Sequence, residues 1–307
     1  YYYESIWNVN KKAWYSGYGM TYLYNADQKR YSDDFWATVN PYRLAGTTVD
    51  TIARADSERQ GTSSSKNWVG GSVLDGLYSI AGMDQEAFNP STETLTAKKS
   101  WFMFDDEIVT LGAGIGSTSG RTIESIVENT KLNGSGNNVL TVNGNQKASS
   151  LGWSETMSNV NYIHLQGNVS GADVGYYFPT SPTIKGLRES RTKAWNEMDV
   201  NGGSTLITKN YMTLWFDHGT APSNATYQYV ILPNKTASQI AAYSSNPDIT
   251  VLENSINAQG VKENTLGITG VNFWDDAVKT VGGITSNKKA SVMVKETANQ
   301  IEIVVSD

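Results

Sequence analysis

The stretch Trp101–Gly116, WFMFDDEIVTLGAGIG, limits what this chain can become. An aromatic-rich apolar run meets three consecutive carboxylates, Asp105, Asp106 and Glu107, and a second apolar run, Ile108–Leu111, ends in glycines. Apolar runs this short, bounded by turn residues, suit buried strands and not helices. The expectation is two strand segments in the middle of a sheet with an acidic corner between them. Three adjacent carboxylates repel one another, so a partly buried corner needs a cation or basic side chains nearby.

The rest of the chain repeats the strand-and-turn grain. Among 307 residues there are 17 Tyr, 9 Trp and 28 Gly, and only 18% of residues are charged. That profile favours a β-rich protein with many tight turns. Tyr15–Asn25, Tyr211–Asp217 and Thr226–Leu232 read as strands or contain one. Thr236–Tyr243 is one of few helical candidates. After Pro247 short strands follow at closer spacing, which sets a domain boundary near 246–248: a large antiparallel domain over 1–247 and a smaller β domain over 248–307. The chain begins and ends in strand-like sequence, as a piece cut from a longer protein would.

The net charge of −6, from 24 basic and 30 acidic residues, leaves no basic footprint for nucleic acid. No apolar run approaches the roughly 18 residues of a membrane helix. The absence of cysteine excludes disulfides and thiolate chemistry and is compatible with secretion from a bacterium. Abundant Tyr and Trp suit a carbohydrate surface, because an amphipathic ring stacks on a sugar face while its polar edge stays wet.

Several segments, taken in order, resemble the β domains of polysaccharide lyase family 8, the hyaluronate, chondroitin AC and xanthan lyases. They are GYGMTYLYN, FWATVNPYRLAGTTVD (35–50), KSWFMFDDEIVTLGAGI (99–115), LWFDHGTAPSNATYQYVILPN (214–234) and NKKASVMVKE (287–296). The resemblance implies an all-β fold, an antiparallel super-sandwich followed by a smaller β-sandwich. It also implies an N-terminal α/α toroid that this chain lacks and would partner. In the family that helical domain carries the Asn, His and Tyr of β-elimination on a uronate. No catalytic residue of that kind is assignable here.

The same resemblance singles out the N-terminal segment. Glu4 matches the acid that orients cleft side chains, and Asn10 matches as well. Trp7 replaces an Asn, Val9 a Glu and Tyr18 an Asp, which favours xanthan over hyaluronan or chondroitin as the acidic polysaccharide.

The candidate substrate-binding residues are Trp7, Asn8, Asn10, Tyr15, Arg188, Arg191 and Trp195. Two Arg three apart can share a helix or turn face and clamp a carboxylate. The alternative is a solvated loop with Glu189 pairing locally. Tyr1–Tyr3, Trp7, Trp14 and Tyr15 read as stacking platforms or as ordinary strand core. A structural Ca²⁺ is expected on Asp105, Asp106 and Glu107, with Glu263 as fourth carboxylate; the alternative is an exposed acidic turn. His164 and His218 have no second ligand at metal spacing and no visible acid–base partner. Arg43 is a candidate ion-pair partner for the acidic corner or the absent domain. Two functions follow for the chain: the β part of a secreted uronate-polysaccharide lyase, with no cofactor for catalysis, or a non-catalytic carbohydrate-binding scaffold. A glycoside hydrolase would need a carboxylate pair that Glu4 alone does not supply.

Overall fold

The computed structural model describes residues 8–58, 64–87 and 93–307. Glu4, Trp7 and Tyr1–Tyr3 lie outside the described residues. The fold is nearly all β, and every strand pair is antiparallel.

Trp101–Gly116 forms a hairpin of Thr96–Met103 and Ile108–Gly116, with the acidic corner as its turn. The hairpin is central in a nine-stranded sheet that runs from Val69–Leu74 to Asn145–Gln146. One face packs on a five-stranded sheet ordered Thr48–Asp50, Thr122–Lys131, Ile207–Thr220, Ile184–Lys193, Ser154–Met157. Ile115, Ile123, Met212, Leu214, Phe216, Tyr227 and Tyr229 fill the space between the two sheets. The opposite face is covered too: Phe102, Val109, Leu111, Val230 and Leu232 pack against Ile240, Ile249, Val261, Ile268 and Met293. Burial on both faces is why Ile108–Ile115 reads as a continuous apolar run with no alternation.

The second cover comes from helix α2, Ala237–Ser245, and a five-stranded sheet over Ile249–Ser306. Thr236 caps α2, with Gln239 closing a capping box. Buried polar contacts fix this sheet on the larger one. Ser100 Oγ donates to Gln259 Oε1 at 2.6 Å, Asn272 Nδ2 donates to Ser100 Oγ at 2.9 Å, and Ser72 Oγ donates to the Ser291 carbonyl at 2.7 Å. Gly82 is needed at this joint, since a Cβ there would meet Trp68 at 2.5 Å and Asn272 at 2.8 Å.

One segment differs from the sequence reading, and one helix was not read at all. Met20–Asn25 is an irregular loop and not a strand. Its amides find single partners in place of a ladder: Thr21 N donates to the Ala45 carbonyl at 2.8 Å and Leu23 N to Tyr31 Oη at 2.8 Å. Phe35–Thr38 is a one-turn helix, α1, fixed by buried Phe35.

Candidate functional site: a basic aromatic cleft

A cleft of about 220 Å³ opens where the N-terminal segment, α1 and the strand Ile184–Lys193 meet. Its lining includes Lys12, Trp14, Trp36, Tyr42, Arg54, Asp56, Arg191, Lys193 and Glu197. Arg191 sits on a strand, where alternate residues share a face, so Lys193 stands on the same side. Arg191 Nε donates to the Thr38 carbonyl at 2.7 Å, at the end of α1. Glu189 accepts from its Nη1 at 3.5 Å. Lys12 and Lys193 both donate to Glu197, at 3.2 and 2.9 Å. Burial would raise the Glu197 carboxyl, but these two ammonium groups hold it below its ordinary value.

The aromatic wall is pinned from behind. Trp14 is buried, donates through Nε1 to the Ala55 carbonyl at 2.9 Å, and packs on Tyr42 at 4.9 Å between centroids. Arg54 makes a bidentate pair with Glu93 at 2.8 and 2.7 Å and donates through Nε to Tyr15 Oη at 3.1 Å. Tyr15 itself is wholly buried and bonded to Asp50. It therefore supports the wall from inside and does not meet solvent, so of its two readings the buried one holds and the stacking platform does not.

Arg188 also departs from expectation. It is 0% exposed, and its guanidinium donates to the Gly136 and Asn138 carbonyls at 2.5 and 2.8 Å. Two Arg three apart share a face on a helix but take opposite faces on a strand, so the expected pair of Arg188 with Arg191 does not form. Trp195 follows the strand in a 3₁₀ turn, with Nε1 donating to Asp34 Oδ1 at 2.9 Å, and is outside the cleft lining. Asn8 is exposed, with its carbonyl on Val200 N, and Asn10 has a left-handed backbone at φ 56°. Neither lines the cleft. Lys12, Trp36, Tyr42, Lys193 and Glu197 were missed by the sequence reading. Period-two spacing from Arg191 to Lys193 was the available signal.

The acidic corner is a separate place. Asp105 and Asp106 are exposed, and Lys235 pairs with Asp106. Glu107 is buried, accepts from Tyr243 Oη of α2 through Oε2, and has no partner for Oε1. Burial pushes its carboxyl up to about 7; Asp106, Glu263 and Asp248 add to this and the tyrosine opposes it. Glu263 is buried and accepts from Leu266 N. Among the described residues no three His, Cys, Asp or Glu side chains are grouped to hold a metal ion, so the expected four-carboxylate set is not assembled. Arg43 does not serve the corner. It pairs with Glu124 twice at 2.8 Å and stacks 4.0 Å over Trp215. His164 bonds Asp173 at 2.8 Å; His218 bonds Ser125 at 2.9 Å, and burial pulls its pKa down to about 4.

A two-sheet antiparallel sandwich backed by a small β domain defines the super-sandwich class. The super-sandwich domain of polysaccharide lyase family 8 matches residues 1–244, and that family's C-terminal beta-sandwich domain matches 250–307. The chain belongs to polysaccharide lyase family 8. It is 50% identical to a xanthan lyase of Bacillus sp. (strain GL1) over 99% of this chain and 32% of the relative. It is 34% identical to a hyaluronate lyase of Thermasporomyces composti, over 100% of this chain and 38% of that protein. The structure of Paenibacillus xanthan lyase superposes with a TM-score of 0.95 at 55% identity, covering 99% of this chain and 29% of that one. Streptomyces coelicolor A3 chondroitin AC lyase gives 0.81 at 32% identity, covering 97% and 37%. The chain thus spans about a third of the length of these relatives.

Proposed function

We propose that this chain is the β part of a secreted lyase that cleaves a uronate-containing polysaccharide by β-elimination, with xanthan as the favoured substrate. The observation that carries the reading is the cleft: four basic residues, Lys12, Arg54, Arg191 and Lys193, against two carboxylates, Asp56 and Glu197, beside Trp14, Trp36 and Tyr42 on an otherwise acidic protein. β-Elimination removes the proton next to the uronate carboxylate, breaks the glycosidic C–O bond on the neighbouring carbon and leaves a C=C bond. Holding the carboxylate against cations makes that proton easier to remove, and aromatic faces orient the sugar. Arg191 is the best-placed anion ligand, because its Nε bond to Thr38 fixes the guanidinium while Nη2 has no hydrogen-bond partner among the described residues. The base and acid belong to the part of the polypeptide outside this chain, and so the chain alone is inactive. Identity of 50% to a xanthan lyase supports the substrate preference. Side-by-side assay of the complete polypeptide on xanthan, hyaluronan and chondroitin tests it; preference for hyaluronan would sink the xanthan assignment.

Structural Ca²⁺ at the acidic corner is not part of this proposal, because the four carboxylates expected to hold it are not grouped there among the described residues.

A further inference from the structure

The loop that fails to form a strand exposes two tyrosines. Tyr24 is 80% exposed and Tyr22 is 40% exposed. Their rings are near-parallel, 12° apart in tilt with centroids 6.4 Å apart. Tyr31 props both edge-on, at 5.1 Å from Tyr22 and 5.6 Å from Tyr24. Tyr31 is itself fixed: its Oη accepts from Leu23 N at 2.8 Å and from Arg30 Nε at 3.1 Å, and its ring rests at 5.4 Å on buried Phe35. The two outer rings are therefore held in place before any ligand arrives, which lowers the entropy cost of binding.

The platform is continuous with the cleft. Tyr22 lies 6.4 Å from Trp36, and Trp36 lines the cleft beside Arg191. We propose that Trp36, Tyr22 and Tyr24 form a stacking track that carries the polysaccharide chain beyond the cleft, an accessory subsite for sugar rings away from the scissile bond. This rests on the polysaccharide reading above. The chemistry favours sugar over a protein partner, because the outer rings are both tyrosines and present a flat apolar face with a wet polar edge. Gln28 and Lys29, exposed on the same loop, suit hydroxyl and carboxylate groups.

Nitration of Tyr24 in the complete polypeptide decides between occupants, read by peptide mass spectrometry with and without long oligosaccharides of the cleaved polymer. The expected result is ready modification of Tyr24 in the free enzyme and protection by the oligosaccharide. Tyr24→Ala should then raise the Kd for long oligosaccharides roughly five- to tenfold, with Tyr24→Trp restoring it. Tyr24 already refractory in the free enzyme would mean that another part of the polypeptide, or a second copy, covers the platform, and would overturn the track. Equal nitration with and without sugar would overturn it as well. An enzyme that releases no unsaturated product fails the lyase reading, whereas one that does, with Tyr24 unprotected, fails only this inference.

Discussion

Arg188 and Arg191, three residues apart on one strand, serve opposite sides of the same sheet. Arg188 ties the Gly136 and Asn138 carbonyls inside the protein, and Arg191 faces the cleft from the end of α1. The two should separate in mutagenesis. In the complete enzyme Arg191→Ala is expected to lower kcat/KM about 10- to 100-fold, the worth of a charge-assisted contact, with thermal unfolding little changed. Arg188→Met should lower unfolding free energy by about 3 kcal/mol through two orphaned carbonyls. Steady-state kinetics and denaturant titration on both variants check the split.

Glu107 predicts a pH dependence. Its folded carboxyl titrates near 7, above its ordinary 4.5. Between those values the folded state binds more protons than the unfolded state, so stability falls as pH rises through that window. Glu107→Gln removes the effect. Its unfolding free energy relative to the parent should climb by up to about 3 kcal/mol from pH 4.5 to above 7. A flat difference across that range would contradict the burial argument.

Lys99 is wholly buried and donates to the Tyr18 and Gly46 carbonyls at 2.7 and 2.6 Å, so it joins the central hairpin to the N-terminal segment. Burial pulls its pKa down from 10.5 to about 7. Between pH 7 and 10.5 the unfolded state carries the extra proton, and this group makes stability rise with pH over that window. Lys99→Met should flatten the rise in chemical denaturation, at the cost of two unpaired carbonyls.

The large-scale plan was readable because it rests on composition and strong local patterns. Trp101–Gly116 announced two buried strands around an acidic corner, and the helical candidate Thr236–Tyr243 became α2. The cleft was harder. Arg191 was readable as a charged residue near an aromatic one, but its partner was taken from helical spacing when the segment is a strand. Tyr15 could not be told from an exposed platform, since only Arg54 and Asp50, distant in sequence, show that it is buried. Lys99 gave no sequence sign of burial, because its partners are backbone carbonyls that any residue could supply. Met20–Asn25 has the composition of a strand, yet Thr21 and Leu23 find their hydrogen-bond partners in Ala45 and Tyr31 and no ladder forms.

The most direct test of the central claim compares two quantities released by the complete polypeptide from xanthan. One is new reducing ends; the other is ultraviolet-absorbing unsaturated uronyl groups. β-Elimination predicts that they appear one for one, and that Arg191→Ala slows both together. Reducing ends accumulating without the unsaturated chromophore would mean hydrolysis and would contradict the account.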